Sequence, residues 1–295
     1  MVRLVHSILQ LTRPWFWTPA LSCAFSAAYF AHHFSYDSAL LICLCVGSGI
    51  CAFAETVNAV SDTEIDRFSS RKEFLGLSVA GGSGLFINKS PRETNLARIL
   101  IVMSIVASFL PCIFLGRWSF LIVTTGLILS YFYSMRPIRA KERGILGVGF
   151  QVIGYGPMSF LLGLLAFEGE FTISRLGYSV LVGLWIETVG FVTDILDIED
   201  DEKQGVRTLA VRLGRSNSIT YVIVGSSLII AIVSTLGVLG EGKFDLVLLW
   251  LIAPLVLFHT FLFLMRNRQV HPSLHLYAVI LETAFPLIVA KSWVY

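Results

Sequence analysis

Two stretches of this 295-residue chain carry carboxylates at helical spacing. The first reads Asn58-Ala59-Val60-Ser61-Asp62-Thr63-Glu64-Ile65-Asp66, the second Thr193-Asp194-Ile195-Leu196-Asp197-Ile198-Glu199-Asp200-Asp201. Steps of four (58, 62, 66) and of three and four (194, 197, 201) keep these side chains on one helix face, where like charges repel. A cation is the natural compensation. Carboxylate and amide oxygens suit Mg²⁺, which takes one or two carboxylates and completes its shell with water and substrate phosphate. Two facing clusters therefore describe two Mg²⁺ sites bridged by one diphosphate. The candidate ligands are Asn58, Asp62, Asp66, Asp194, Asp197 and Asp201, and the five aspartates are also the candidate catalytic set. Basic residues for the diphosphate lie close by: Arg71 and Lys72 after the first cluster, Lys203 and Arg207 after the second. Arg136, Arg139, Lys141 and Arg143 arrive from the stretch between. Arg136, directly after Tyr133, Ser134 and Met135 at the end of an apolar run, is the best single candidate.

The elements that must position these groups are set by composition. Hydrophobic residues make up 55% and charged residues 14%, with mean hydropathy +0.76, whereas a soluble chain carries about 25% charge. A soluble globule and a disordered chain are both excluded. Net charge +2 offers no concentrated basic face for nucleic acid. A bilayer core takes about 20 apolar residues per helix, and nine such runs follow one another: 15–34, 39–60, 99–115, 118–135, 145–167, 176–193, 216–240, 246–265 and 274–290. The expected fold is one all-α integral membrane domain, 1–295, with nine transmembrane helices. Eighteen lysines and arginines fall on one side of this arrangement and four on the other. The positive-inside rule then puts the N-terminus and both acidic clusters on the cytoplasmic face of a cell membrane. A shift of 135 residues overlays Asp62 on Asp197 and Asp66 on Asp201, four helices apart, so the chain reads as a duplicated four-helix unit plus one extra helix.

At these residues the chain resembles the UbiA-type intramembrane prenyltransferases. Asn58, Asp62 and Asp66 match the family's first signature, and Asp194, Asp197 and Asp201 its second. The continuation from Lys203 to Gly214 is similar as well. So are the middle stretch Tyr133-Ser134-Met135-Arg136-Pro137 with Lys141, and the start Arg13-Pro14-Trp15. The resemblance implies an enzyme that moves an isoprenyl chain from an allylic polyprenyl diphosphate to an aromatic, quinone-precursor-like acceptor through a carbocation in a dry chamber, releasing diphosphate. A membrane terpene cyclase, needing no acceptor, uses the same ionisation site and is the alternative. A transporter fits less well, because its inverted repeats need an odd number of helices per copy. One residue departs from the family pattern: Ala59 stands where an aspartate is common. Gly81-Gly82-Ser83-Gly84 resembles a loop of members that prenylate dihydroxynaphthoate, and reads equally as a flexible turn.

Three further acids, Glu55, Glu187 and Glu282, lie within apolar runs, where an ionisable group is a functional candidate by default. Glu55 and Glu187 sit inward of the clusters, as a contact to metal or acceptor or as a structural hydrogen bond. Glu282 has no companion. The five cysteines and the histidines show no metal-ligand spacing and read as packing or interfacial groups.

Overall fold

The computed structural model describes residues 2–63, 91–239, 246–266 and 273–294. Asp66, Arg71, Lys72 and the stretch Gly81-Gly82-Ser83-Gly84 lie outside them. The described residues form helices α1 (Val2–Thr12), α2 (Thr18–Ala31), α3 (Tyr36–Ser61), α4 (Pro91–Leu115), α5 (Arg117–Ser134), α6 (Ile145–Ala166), α7 (Ile173–Gly190), α8 (Val192–Lys203), α9 (Leu209–Leu239), α10 (Leu246–Leu264) and α11 (Ser273–Val294). Each of the nine apolar runs overlaps one of these helices. Among the described residues, α3, α4, α6, α9 and α11 are long and apolar enough to cross a bilayer, and α7 with α8 adds a sixth span if the pair is taken together. The chain is an integral membrane protein.

Helix starts follow local chemistry. Ser35 caps α3 by accepting from the Ser38 N–H at 3.1 Å, and Thr172 caps α7 by accepting from the Arg175 N–H at 3.3 Å, each satisfying a donor that the first turn leaves without a partner. Two helices are widened in mid-course by π-helical turns, Cys43–Cys51 in α3 and Gly154–Met158 in α6. Such insertions re-aim side chains, and Val46, Ile50, Tyr155 and Met158 from these turns all face one central chamber.

Helices in lipid gain little from the hydrophobic effect and associate through close packing of small residues. The π-helical turn of α6 meets α7 in that way. A Cβ on Gly156 would stand 2.2 Å from the Ser179 carbonyl oxygen, and one on Gly183 would stand 2.2 Å from the Val152 carbonyl oxygen. The last helix is zipped along α7 and the start of α8 by polar contacts at the same time. Tyr178 donates to the Pro286 carbonyl at 2.6 Å, the Trp185 indole to the Leu281 carbonyl at 3.1 Å, and Thr193 pairs with His275 Nδ1 at 2.7 Å. Trp185 also stacks on Phe285 with ring centroids 4.2 Å apart. These contacts fix which face of α11 is turned to the centre of the bundle.

The polypeptide bends by 47° between α7 and α8, at Phe191. The second acidic cluster therefore lies on a separate short helix, whereas α3 stops at Ser61 with Asp62 as its C-cap. The two copies expected from the 135-residue shift thus present their acids differently, one at a helix end and one along a helix side.

Candidate active site

The bundle encloses a chamber of about 330 Å³ with a charged rim and an interior lined by both polar and apolar side chains. Asn58 and Asp62, at the end of α3, form one wall of the rim. Asp194, Asp197 and Asp201, from α8, form the other. The two clusters, distant in sequence, line a single cavity.

On the α3 wall the carboxylate is already matched with positive charge. Arg139 reaches Asp62 Oδ1 at 3.0 Å, and the Lys141 ammonium bridges both Asp62 oxygens. Lys141 also donates to Asn58 Oδ1 at 2.8 Å, an oxygen that accepts from Ser134 Oγ at 2.9 Å. Arg139 donates further to the Ser134 carbonyl at 3.2 Å and pairs with Glu142. All these groups come from the turn after α5. There Met135 is extended, its carbonyl accepts the Arg139 N–H at 2.9 Å, and Arg139 adopts a left-handed conformation, φ 44°. That reversal sends Arg139 and Lys141 back under the bundle. Asp62 and Glu142 balance Arg139 and Lys141 on this wall, and the two cations bring the hydrogen-bond donors that a diphosphate requires.

The α8 wall is acidic. Asp194, Asp197 and Asp201 recur at three and four residues along one face and all line the chamber. Thr208 donates to Asp201 Oδ2 at 3.4 Å, and Arg215 closes onto Glu199 at 2.6 Å outside the rim. The donor set consists of carboxylate oxygens, which fit Mg²⁺. No group of three His, Cys, Asp or Glu side chains converges into a ready-made metal cage among the described residues.

The other sequence candidates divide. Tyr133 and Ser134 line the chamber, the Tyr133 hydroxyl accepting from Gln151. Lys141 is at the centre of the rim. Arg136 is exposed and stands outside the lining, as do Lys203, 3.8 Å from Asp200, and the exposed Arg207. Arg139 takes the inward place that sequence reasoning gave to Arg136. Both follow the same apolar run, and no spacing rule separates them. The interior acids also resolve. Glu55 is paired with Arg13 at 2.7 Å, and that guanidinium lies over the Phe16 ring. Glu187 accepts from the Tyr221 hydroxyl at 2.7 Å. Glu282, 6% exposed, faces the chamber from α11. Arg13, Gln151, Tyr155, Thr208 and His275 are lining residues that the sequence reading did not single out for the site.

Comparison with known proteins follows this geometry. The profile of the UbiA prenyltransferase family matches residues 16–279. The bacteriochlorophyll synthase 34 kDa chain of Chloroflexus aurantiacus is 27% identical over 220 residues, covering 72% of this chain and 65% of that protein. The digeranylgeranylglyceryl phosphate synthase of Sulfurisphaera tokodaii is 30% identical over 175 residues, 59% of this chain and 58% of that one. The chain thus spans somewhat under two thirds of the length of these two relatives. A UbiA homolog from Archaeoglobus fulgidus, solved bound to GPP and Mg²⁺, superposes with a TM-score of 0.71 at 20% identity, covering 98% of this chain and 99% of the other.

Proposed function

The chain belongs to the UbiA prenyltransferase family, and from that premise we propose that it transfers an isoprenyl chain from an allylic polyprenyl diphosphate to an aromatic acceptor, releasing diphosphate. One observation carries this reading: opposed carboxylates and cations share one chamber with a set of apolar and aromatic side chains that includes Ile50, Met158, Phe16 and Phe150. The prenyl donor has the complementary form, a diphosphate head on a hydrocarbon tail. Relatives named as synthases of bacteriochlorophyll and of digeranylgeranylglyceryl phosphate, and a homolog bound to GPP and Mg²⁺, support the prenyl-donor side of it.

The residues have separable tasks. Lys141 and Arg139 place positive charge where the leaving diphosphate gains negative charge, in a site largely withdrawn from water where such charges act strongly. Asn58 and Ser134 hold Lys141 and Asp62 in register. Asp194, Asp197 and Asp201 would hold Mg²⁺ on the α8 wall, and Asn58 and Asp62 a second ion on the other, with Asp66 completing that set. Bound there, Mg²⁺ supplies charge neutralisation and Lewis acidity toward the diphosphate oxygens. Below the rim, Ile50, Phe150 and Met158 give an apolar wall that excludes water from the allylic carbon. The Phe150, Phe16 and Tyr133 rings line the same space, where aromatic faces attract positive charge. Bond-making to the acceptor follows there. The acidic rim faces the cytoplasm on the positive-inside rule.

Asp197→Ala tests the reading directly. With radiolabelled geranyl diphosphate, Mg²⁺ and a panel of phenolic acceptors, diphosphate release and prenylated product are expected to fall at least a thousandfold, on the order of 4 kcal/mol in barrier. Size-exclusion behaviour and melting temperature should stay unchanged. Full turnover in a folded Asp197→Ala protein would remove the α8 carboxylates from the mechanism.

A further inference from the structure

Glu282 differs from every other acid lining the chamber. It is 6% exposed and lines the cavity, yet its carboxyl makes no side-chain hydrogen bond and no ion pair among the described residues. Glu55 is held by Arg13, Glu187 by Tyr221, and Asp62 by two cations. A buried polar group left without a partner costs about 1–3 kcal/mol, so its retention points to a ligand that supplies the missing donor.

Its position says which ligand. Glu282 Oε1 stands 3.0 Å from where a Cβ on Gly190 would be, and Gly190 precedes Asp194 by four residues, about one helical turn. His275, two turns before Glu282 on α11, pairs with Thr193 beside that same aspartate. The carboxyl of Glu282 is therefore about one turn below the α8 wall. That is the level at which the first carbons of a prenyl chain would lie if its diphosphate were gripped at the rim. Tyr155, on the π-helical turn of α6, brings a second hydroxyl to the chamber, also without a hydrogen bond among the described residues. The cations bordering this level are committed: Arg13 to Glu55, and Arg139 and Lys141 to Asp62. A carboxylate or phosphate on the acceptor would be buried at this level with no uncommitted lysine or arginine lining it among the described residues, and a buried charge without a partner costs several kcal/mol.

Resting on the transferase reading above, we propose that Glu282 is the specificity-determining residue for the acceptor, and that the acceptor is an uncharged molecule whose hydroxyl donates a hydrogen bond to it. The contacts that tie α11 to α7 and to the start of α8 hold the carboxyl at this level.

The test uses the full-length protein in lipid nanodiscs with Mg²⁺ and geranyl thiolodiphosphate, a donor that does not turn over. Equilibrium dialysis then measures 4-methylphenol against 4-hydroxybenzoate, two probes that differ in a methyl and a carboxylate. The wild type is expected to bind 4-methylphenol about tenfold more tightly, because the hydroxyl contact is common to both probes and only 4-hydroxybenzoate buries an unmatched charge. Glu282→Leu should lose about that factor for 4-methylphenol. Glu282→Gln, which keeps a hydrogen-bond acceptor of the same size, should hold 4-methylphenol as the wild type does. Equal or reversed affinities in the wild type overturn the inference, as does a folded Glu282→Leu protein that binds 4-methylphenol normally. If the Leu variant does not fold, the Gln variant decides, and a tenfold loss of 4-methylphenol binding there overturns the inference. Failure of the thiolodiphosphate itself to bind would overturn the transferase reading, and this inference with it.

Discussion

Lys141 and Arg136 lie five residues apart in one loop, and the fold gives them opposite fates. Lys141 is 13% exposed at its side chain and touches three oxygens, Asn58 Oδ1 and both of Asp62, whereas Arg136 is exposed and outside the chamber. Replacing Lys141 by Met keeps much of the aliphatic stem and removes the charge. Asp62 retains Arg139 at 3.0 Å and Ser61 at 3.1 Å, so the fold should survive with a loss below about 2 kcal/mol. The rim changes more. Its α3 wall, where Asp62 and Glu142 balance Arg139 and Lys141, falls from neutral to one net negative charge, at a place where burial limits screening by salt. A charge-assisted hydrogen bond is worth about 1.5–3 kcal/mol, which corresponds to a donor Kd raised roughly tenfold to a hundredfold. Titration calorimetry of geranyl thiolodiphosphate in the presence of Mg²⁺ reads this directly. Arg136→Met, run in parallel, is expected to change the Kd by less than about twofold, as befits an exposed charge screened by water. Equal weakening by both variants, or weakening by Arg136→Met alone, would refute the assignment of the inward cations.

Other outcomes follow from the same structure. Gly183→Leu forces side-chain atoms into α6, where a Cβ would already stand 2.2 Å from the Val152 carbonyl, so it should destabilise by at least about 2 kcal/mol. A melting temperature within a degree of wild type would contradict the close approach of α6 and α7. Tyr221→Phe removes the donor to Glu187 and should cost about 1–3 kcal/mol in chemical denaturation, with no such loss expected from Tyr29→Phe on a side chain that projects outward. Chelation of Mg²⁺ should abolish turnover, and readdition should restore it. In a Mn²⁺ titration without donor, the α8 wall is expected to take up metal before the α3 wall, since Lys141 already neutralises Asp62. If Lys141→Met leaves the number of Mn²⁺ ions bound without donor unchanged, that ordering is wrong.

Much of this protein was legible in one dimension. Bilayer residence follows from apolar run length, because a backbone in hydrocarbon must satisfy its own hydrogen bonds and a helix does so locally. Spacing of three and four reports a shared helix face whatever the helix packs against, so both acidic clusters could be found and aligned. The resemblance to the family rested on the same residues, and the profile match from 16 to 279 bears it out.

The sequence by itself thus determined that the chain lives in a membrane, which side chains share a face, and which family it joins, since each of these depends on neighbours a few residues away. Only the tertiary structure decided which faces look inward. The 47° bend at Phe191 aims one aspartate cluster along the rim, and a left-handed residue after α5 turns Arg139 and Lys141 toward Asp62 while Arg136 points to the outside. Contacts between α11 and α7, separated by about a hundred residues, bring Glu282 into the chamber. A helix dictates the angle between its own side chains, but its rotation about its axis is chosen by the partners it packs against, and those partners are distant in the chain.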